Sequence, residues 1–309
     1  MPLDPAVASL LDGLGQQGFQ SFEKIGVEAT RQTLDTLVGL QNPARDVAAI
    51  TEVPYGSDPE QRARVYLPPG DGPFPVVLYV HGGGFVGGGL DVVDERARAL
   101  ALDVGAVVVS ATYRRAPENR FPAAHDDAYA ALQWTAKEIT AHGGDAGRIA
   151  VMGDSAGANL AAAAVIRARD AGEPAVRAQV LLYPLVDPAA DTPSRRAFAE
   201  GYLIHLDALA WFGSQYVTGP ADVADPRLAL DRNDLAGLPP TLVVTTEYDT
   251  LRDEGEAFAE SLRAAGNEVR ATRIDGLVHA LYWASGAVPR SAEIHTEAVE
   301  HLRANLAAR

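Results

Sequence analysis

The chain has 309 residues, no cysteine and a formal net charge of −15. Without a thiol it can hold no disulfide framework, thiolate metal site or iron–sulfur cluster, and it cannot use a cysteine nucleophile. The 26 Lys and Arg residues form no cluster, which excludes a nucleic-acid binder and disfavours an anionic membrane surface.

Residues 6–40 read as helical. Leu10, Leu11 and Leu14, then Phe19, Phe22, Ile25 and Val27, recur at near-helical spacing, and Gly13, Gly15 and Gly18 divide them into two short helices. Residues 48–54 and 62–67 read as a strand pair around Gly56-Ser57-Asp58-Pro59. A β/α alternation follows. Val76–Val80 is an apolar run suited to a strand buried on both faces. Strands are expected at 106–111, 148–152, 178–183, 241–246 and 268–274. Helices are expected at 92–104, 125–141, 155–171, 252–265 and 290–306. This order predicts an α/β fold, with a mostly parallel sheet covered by helices on both faces. The alternation breaks over 186–238, where a helix at 206–217 is the clearest element. That insertion and residues 1–45 are expected to form a helical cap, with 46–185 and 239–309 as the catalytic domain. No apolar run approaches the ~20 residues of a membrane span. The opening Met1-Pro2-Leu3-Asp4-Pro5 shows no signal-peptide pattern, so a cytoplasmic location is expected.

The strongest local signal is Gly153-Asp154-Ser155-Ala156-Gly157, set between a strand and a helix. In that context G-x-S-x-G presents a serine at a sharp turn, at a helix N-terminus that favours negative charge. Serine needs a general base, and the chain has seven histidines. His125, His142, His205, His295 and His301 lie on or beside predicted helices or in the insertion, and read as structural or solvated. His279 follows the last strand in a loop, where sites of parallel sheets assemble. The carboxylate expected to orient it is Asp249, the first acid clearly past the strand at 241–246, with Asp253 its main rival. Asp253 and Glu254 fall in a helix's first turn, where the dipole accounts for them. The order Ser155, Asp249, His279 is that of α/β-hydrolases. His81-Gly82-Gly83-Gly84-Phe85 follows the strand at 76–80 and offers unobstructed N–H groups. Gly83, Gly84 and Ala156 are the expected oxyanion donors, supported by His81, Gly82 and Asp154. Gly82, Gly84 and Gly87 also satisfy G-x-G-x-x-G, but the next strand ends Val109-Ser110-Ala111-Thr112-Tyr113 without the acid a dinucleotide ribose requires. No metal motif is present. Phe85, Tyr183, Leu203, Trp211 and Leu281 are expected to line the substrate pocket. Leu203, Trp211, Phe212 and Tyr216 could equally pack the cap on the sheet.

These motifs resemble those of the bacterial hormone-sensitive-lipase-like esterases. The family's HGGGF, YRLAPE, FPAA, GDSAGGN and D-P-L-R-D-E appear in order as 81–85, 113–118, 121–124, 153–159 and 249–254, followed by His279. The resemblance covers about residues 60–285. It implies the α/β-hydrolase fold, a helical cap, and a serine carboxylesterase for short- to medium-chain acyl esters. It further implies water as co-substrate, no cofactor or metal, a monomer or homodimer, and structural roles for Arg114 and Glu118. Ala158, Thr250 and the sequence His279-Ala280-Leu281 depart from the family pattern, the last beside the pocket. Amides, lactones and carbonates would suit the same residues. Plant gibberellin receptors resemble this family but lack its histidine, so His279 argues against a purely binding role.

Overall fold

The computed structural model describes residues 2–307; residues 1, 308 and 309 of the expected terminal segments lie outside the described residues. The strands are β1 Ala49–Pro54, β2 Arg62–Leu67, β3 Phe74–Val80, β4 Val107–Ala111, β5 Gly144–Asp154, β6 Ala178–Leu182, β7 Thr241–Tyr248 and β8 Val269–Val278. They form one sheet in the order β1-β2-β4-β3-β5-β6-β7-β8. β2 runs antiparallel to both neighbours, and the pairings from β4 to β8 are parallel. Every residue of β4 and β6 is buried, as strands covered on both faces require.

The covering helices are α3 Asp94–Leu100, α4 Ala123–Glu138, α5 Ala156–Ala171, α9 Arg252–Ala264 and α10 Ser291–Leu306. α4 and α5 pack together against the sheet centre, and α10 packs on β5 to β8. The helix expected over 92–104 is shorter than its pattern suggests. After Leu100 it widens into a π-helical turn, Ala101–Gly105.

Register sets the ends of the central strands level. Val80 pairs with Gly153, and Asp154 with Leu182. Residues just past β3, β5 and β6 therefore emerge side by side at one edge of the sheet. Two helical segments close over that edge. The first holds α1 Pro5–Gln16 and α2 Phe22–Thr36. Asp4 starts α1 by accepting the Ala6 N–H at 2.8 Å, and α2 is broken at Gly26 (φ 78°). The second lies between β6 and β7. It adds no strand and holds α6 Pro193–Ala197, α7 Leu206–Tyr216 and α8 Pro220–Val223.

Both segments are anchored by arginines. Arg31 on α2 donates to the carbonyls of Val86 and Ala116 and to both oxygens of Glu118. Arg195 on α6 is buried, donates to Glu254 at 2.8 Å, and also holds the carbonyls of Asp187, Pro188 and Ala190.

Candidate active site

Ser155 lies between β5 and α5 with φ 55° and ψ −121°, a left-handed conformation that costs energy for a residue with a side chain. The flanking glycines explain how it is held. A β-carbon on Gly157 would stand 2.2 Å from the Val80 carbonyl oxygen, and one on Gly153 would stand 2.2 Å from that of Gly157. Only hydrogen fits at either position. The Ser155 N–H donates to the Leu182 carbonyl at 2.9 Å, fixing the turn against β6.

The hydroxyl of Ser155 lies 2.8 Å from His279 Nε2, and His279 Nδ1 lies 2.7 Å from Asp249 Oδ2. A carboxylate only accepts, so Nδ1 carries the proton and Nε2 presents its lone pair to the serine. Asp249 is buried, and its Oδ1 accepts the Leu251 N–H at 2.8 Å. The Tyr183 ring lies under the imidazole at a centroid distance of 4.7 Å. Asp253 and Glu254 point elsewhere. Asp253 accepts the Ser194 N–H, and Glu254 accepts from Arg195 and the Val186 N–H, so both hold the second helical segment.

The loop after β3 turns through positive φ at Gly83 (109°), Gly84 (62°) and Phe85 (63°). The Gly83 and Gly84 N–H groups donate to no backbone acceptor among the described residues. Behind the loop, Asp154 Oδ1 accepts the Gly82 N–H at 3.1 Å and the Tyr79 hydroxyl at 2.7 Å. Burial pushes the Asp154 carboxyl up to about 6. His81 stacks on Tyr113, and burial pushes its imidazole down to about 4. Glu118 sits outside this group as the exposed partner of Arg31.

Above Ser155 opens a cavity of about 570 Å³. Apolar side chains from α2, α7 and the loops at 185–188 and 203–206 form most of its wall. Leu203 is among them, and Phe85 of the glycine-rich loop also lines the cavity. Tyr183, Trp211 and Leu281 do not. Tyr183 is fully covered and spends its ring on His279. On α7 the aromatic residues that line the cavity are Phe212 and Tyr216, four residues apart. Trp211 is turned away by about 100° and meets Phe212 edge-on. Leu281 is buried beneath the turn that presents Ala280 and Trp283 to the cavity. The sequence reading missed the wall contributed by Phe19, Phe22 and Leu34 of the first segment. The spacing marks Phe19 and Phe22 as apolar positions of the expected cap but does not say which side chains meet the cavity, and Leu34 lies outside that spacing.

A level row of strand ends with a serine elbow, a histidine loop and a glycine-rich loop is the layout of the α/β-hydrolases. The family model described as "alpha/beta hydrolase fold" matches residues 77–283. Esterase LipI of Mycobacterium tuberculosis is 37% identical over 308 residues, covering 97% of this chain and 94% of that protein. An ethyl acetate hydrolase of Pseudomonas putida is 41% identical, covering 70% of each. Among solved structures, the hyperthermophilic esterase of the archaeon Pyrobaculum calidifontis superposes with a TM-score of 0.92 at 39% identity, covering 98% of this chain and 99% of that one. The chain belongs to the hormone-sensitive-lipase-like esterases of the α/β-hydrolase fold. It is a carboxylic ester hydrolase. No helix among the described residues is long and apolar enough to cross a membrane.

Proposed function

We propose that the chain hydrolyses short- to medium-chain acyl esters through an acyl-enzyme on Ser155. The carrying observation is the unbroken hydrogen-bonded line from Ser155 through His279 to Asp249, opening into an apolar cavity. His279 Nε2 takes the serine proton as Oγ attacks the ester carbonyl, then passes it to the leaving alcohol. Asp249 holds the imidazole in the Nδ1–H tautomer and stabilises its charged form. The negative oxygen of the tetrahedral intermediate is met by the N–H groups of Gly83, Gly84 and Ala156. Each such donor typically contributes about 10²–10³ in rate. Water, deprotonated by His279, then releases the acid.

Residues 1–45 and 186–238 act as a cap over a catalytic body of 46–185 and 239–309. The cap confines both ends of the substrate within about 570 Å³, which supports short to medium chains, as does the ethyl acetate hydrolase among the relatives.

The test is a series of p-nitrophenyl esters from acetate to palmitate, run with the parent and Ser155→Ala. A maximum at or below about ten carbons and a loss on the order of 10⁵ in Ser155→Ala are expected. Full activity in Ser155→Ala would remove Ser155 as the nucleophile, and a palmitate optimum would remove the chain-length assignment.

A further inference from the structure

Behind the glycine-rich loop, several elements converge on one imidazole. His125, in the first turn of α4, is 3% exposed and has a partner on each ring nitrogen. Its Nε2 lies 2.9 Å from Asn159 Oδ1, and its Nδ1 lies 2.7 Å from the Tyr216 hydroxyl. The Asn159 amide has no freedom to turn over. Its Nδ2 donates to the carbonyls of Leu185 at 3.0 Å and Leu228 at 2.8 Å. Carbonyls only accept, so the amide oxygen must face the imidazole. Nε2 therefore carries the proton, Nδ1 presents a lone pair, and the Tyr216 hydroxyl donates to it. Burial pushes the imidazole down to about 4, keeping it neutral.

Each partner belongs to a different part of the site. Asn159 lies one helical turn beyond Ser155 on α5. Leu185 directly precedes the second helical segment, and Leu228 lies within it after α8. Tyr216 ends α7 and lines the cavity, and its ring stacks on Phe85 at 4.2 Å with 14° between planes. Phe85 directly follows Gly84.

We propose that His125 is a positioning residue for ester hydrolysis: as a neutral Nε2–H imidazole it locks Tyr216, and through the stacked Phe85 ring the Gly83–Gly84 loop, onto the nucleophile helix. This rests on the reading of Ser155 as nucleophile and of Gly83 and Gly84 as oxyanion donors. His125 touches no substrate. Without it Tyr216 loses its acceptor and Asn159 its donor, and the stacked pair can slide. Displacement of the glycine N–H groups then weakens the transition state and leaves ground-state binding unaltered.

The experiment compares Tyr216→Phe, His125→Phe and His125→Gln. It measures kcat and KM on p-nitrophenyl butyrate, inhibition by phenylboronic acid, and the ring nitrogens of ¹⁵N-histidine-labelled protein. The boronic acid forms a tetrahedral anion on the serine and so reports the oxyanion donors. Tyr216→Phe is expected to lower kcat about tenfold and His125→Phe about a hundredfold, with KM within about twofold. Boronate affinity falls by the same factor as kcat/KM. His125→Gln, whose amide can donate to Asn159 and accept from Tyr216, returns activity to within about threefold of the parent. The nitrogen spectrum shows His125 as the Nε2–H tautomer at neutral pH. Unchanged kcat and boronate affinity in Tyr216→Phe would overturn the proposal, as would the Nδ1–H tautomer or losses confined to KM. Tyr216→Phe removes one oxygen atom and decides the matter should His125→Phe fail to fold. Ser155→Ala is the separate control. If it still turns over substrate, the reading of the nucleophile fails, independently of what the His125 variants show.

Discussion

The floor of the site and its roof are held in different ways. The floor, at the ends of β3, β5, β7 and β8, is fixed by backbone contacts at Gly153 and Gly157 and by buried polar groups with specified partners. The roof, formed by α1, α2 and the 186–238 segment, meets the cavity with apolar side chains. Phe22 and Phe212, from its two halves, come together at 5.5 Å, and the Phe212 ring lies against Gly84. Directional bonds fix a geometry, whereas apolar contacts fix a volume. Changes in the floor, and in Tyr216, a roof residue bonded into it, should therefore act on kcat, and changes in the purely apolar side chains of the roof on which ester is preferred.

The largest expected effect lies in the floor. Asp249→Asn puts an amide where the Nδ1 proton needs an acceptor, and favours the wrong imidazole tautomer. We expect kcat to fall by about 10⁴ with the melting temperature nearly unchanged, measured on p-nitrophenyl butyrate. A loss below tenfold would mean that the bond to Asp249 does not set the tautomer.

In the roof, Phe22→Ala removes a ring that lines the cavity and packs on Phe212. The preferred acyl chain should lengthen by two or more carbons, with kcat/KM on the new optimum changed by about tenfold or less. A uniform drop on every chain length would show that Phe22 serves the floor geometry after all.

A further effect, read in stability and not in turnover, separates the two regions by pH. Burial holds the His81 pKa near 4 in the folded chain, below its ordinary 6.5. Between those values the unfolded chain binds the additional proton. The stability linked to His81 is thus complete above 6.5 and is lost as pH falls through 4, by on the order of 3 kcal/mol. Asp154, raised to about 6, acts oppositely, its contribution being lost as pH rises through that value. Urea titrations from pH 4 to 7.5 should show His81→Gln with a stability that declines less on acidification than the parent's. Phe22→Ala changes no titrating group and should keep the parent's slope.

What was legible in the sequence follows the same division. The serine elbow, the glycine-rich loop and His279 carry their signals locally, because sharp turns at strand ends demand glycine within a few positions. Asp249 could be separated from Asp253 and Glu254 by its distance past the strand, and the structure turns those two toward Ser194 and Arg195. The wall was only partly readable. Phe212 and Trp211 are adjacent and both aromatic, and only the packing of α7 decides which one meets the cavity. α6 and α8 have five and four residues, too short to show a helical period. His125 read as an ordinary helix-start histidine, since its partners lie 34 and 91 positions away and no local pattern announces them.

The glycine contacts under Ser155 make its turn a strain gauge for the sheet. β3, β5 and α5 meet where a β-carbon on Gly157 would be 2.2 Å from Val80 and 2.4 Å from His81, so the arrangement has no slack to absorb shear. Any slip of β3 against β5 must move Ser155 relative to the Gly83–Gly84 loop. Under pressure or mild denaturant, turnover would then decline while every strand is still paired, reporting distortion of the central sheet ahead of its melting.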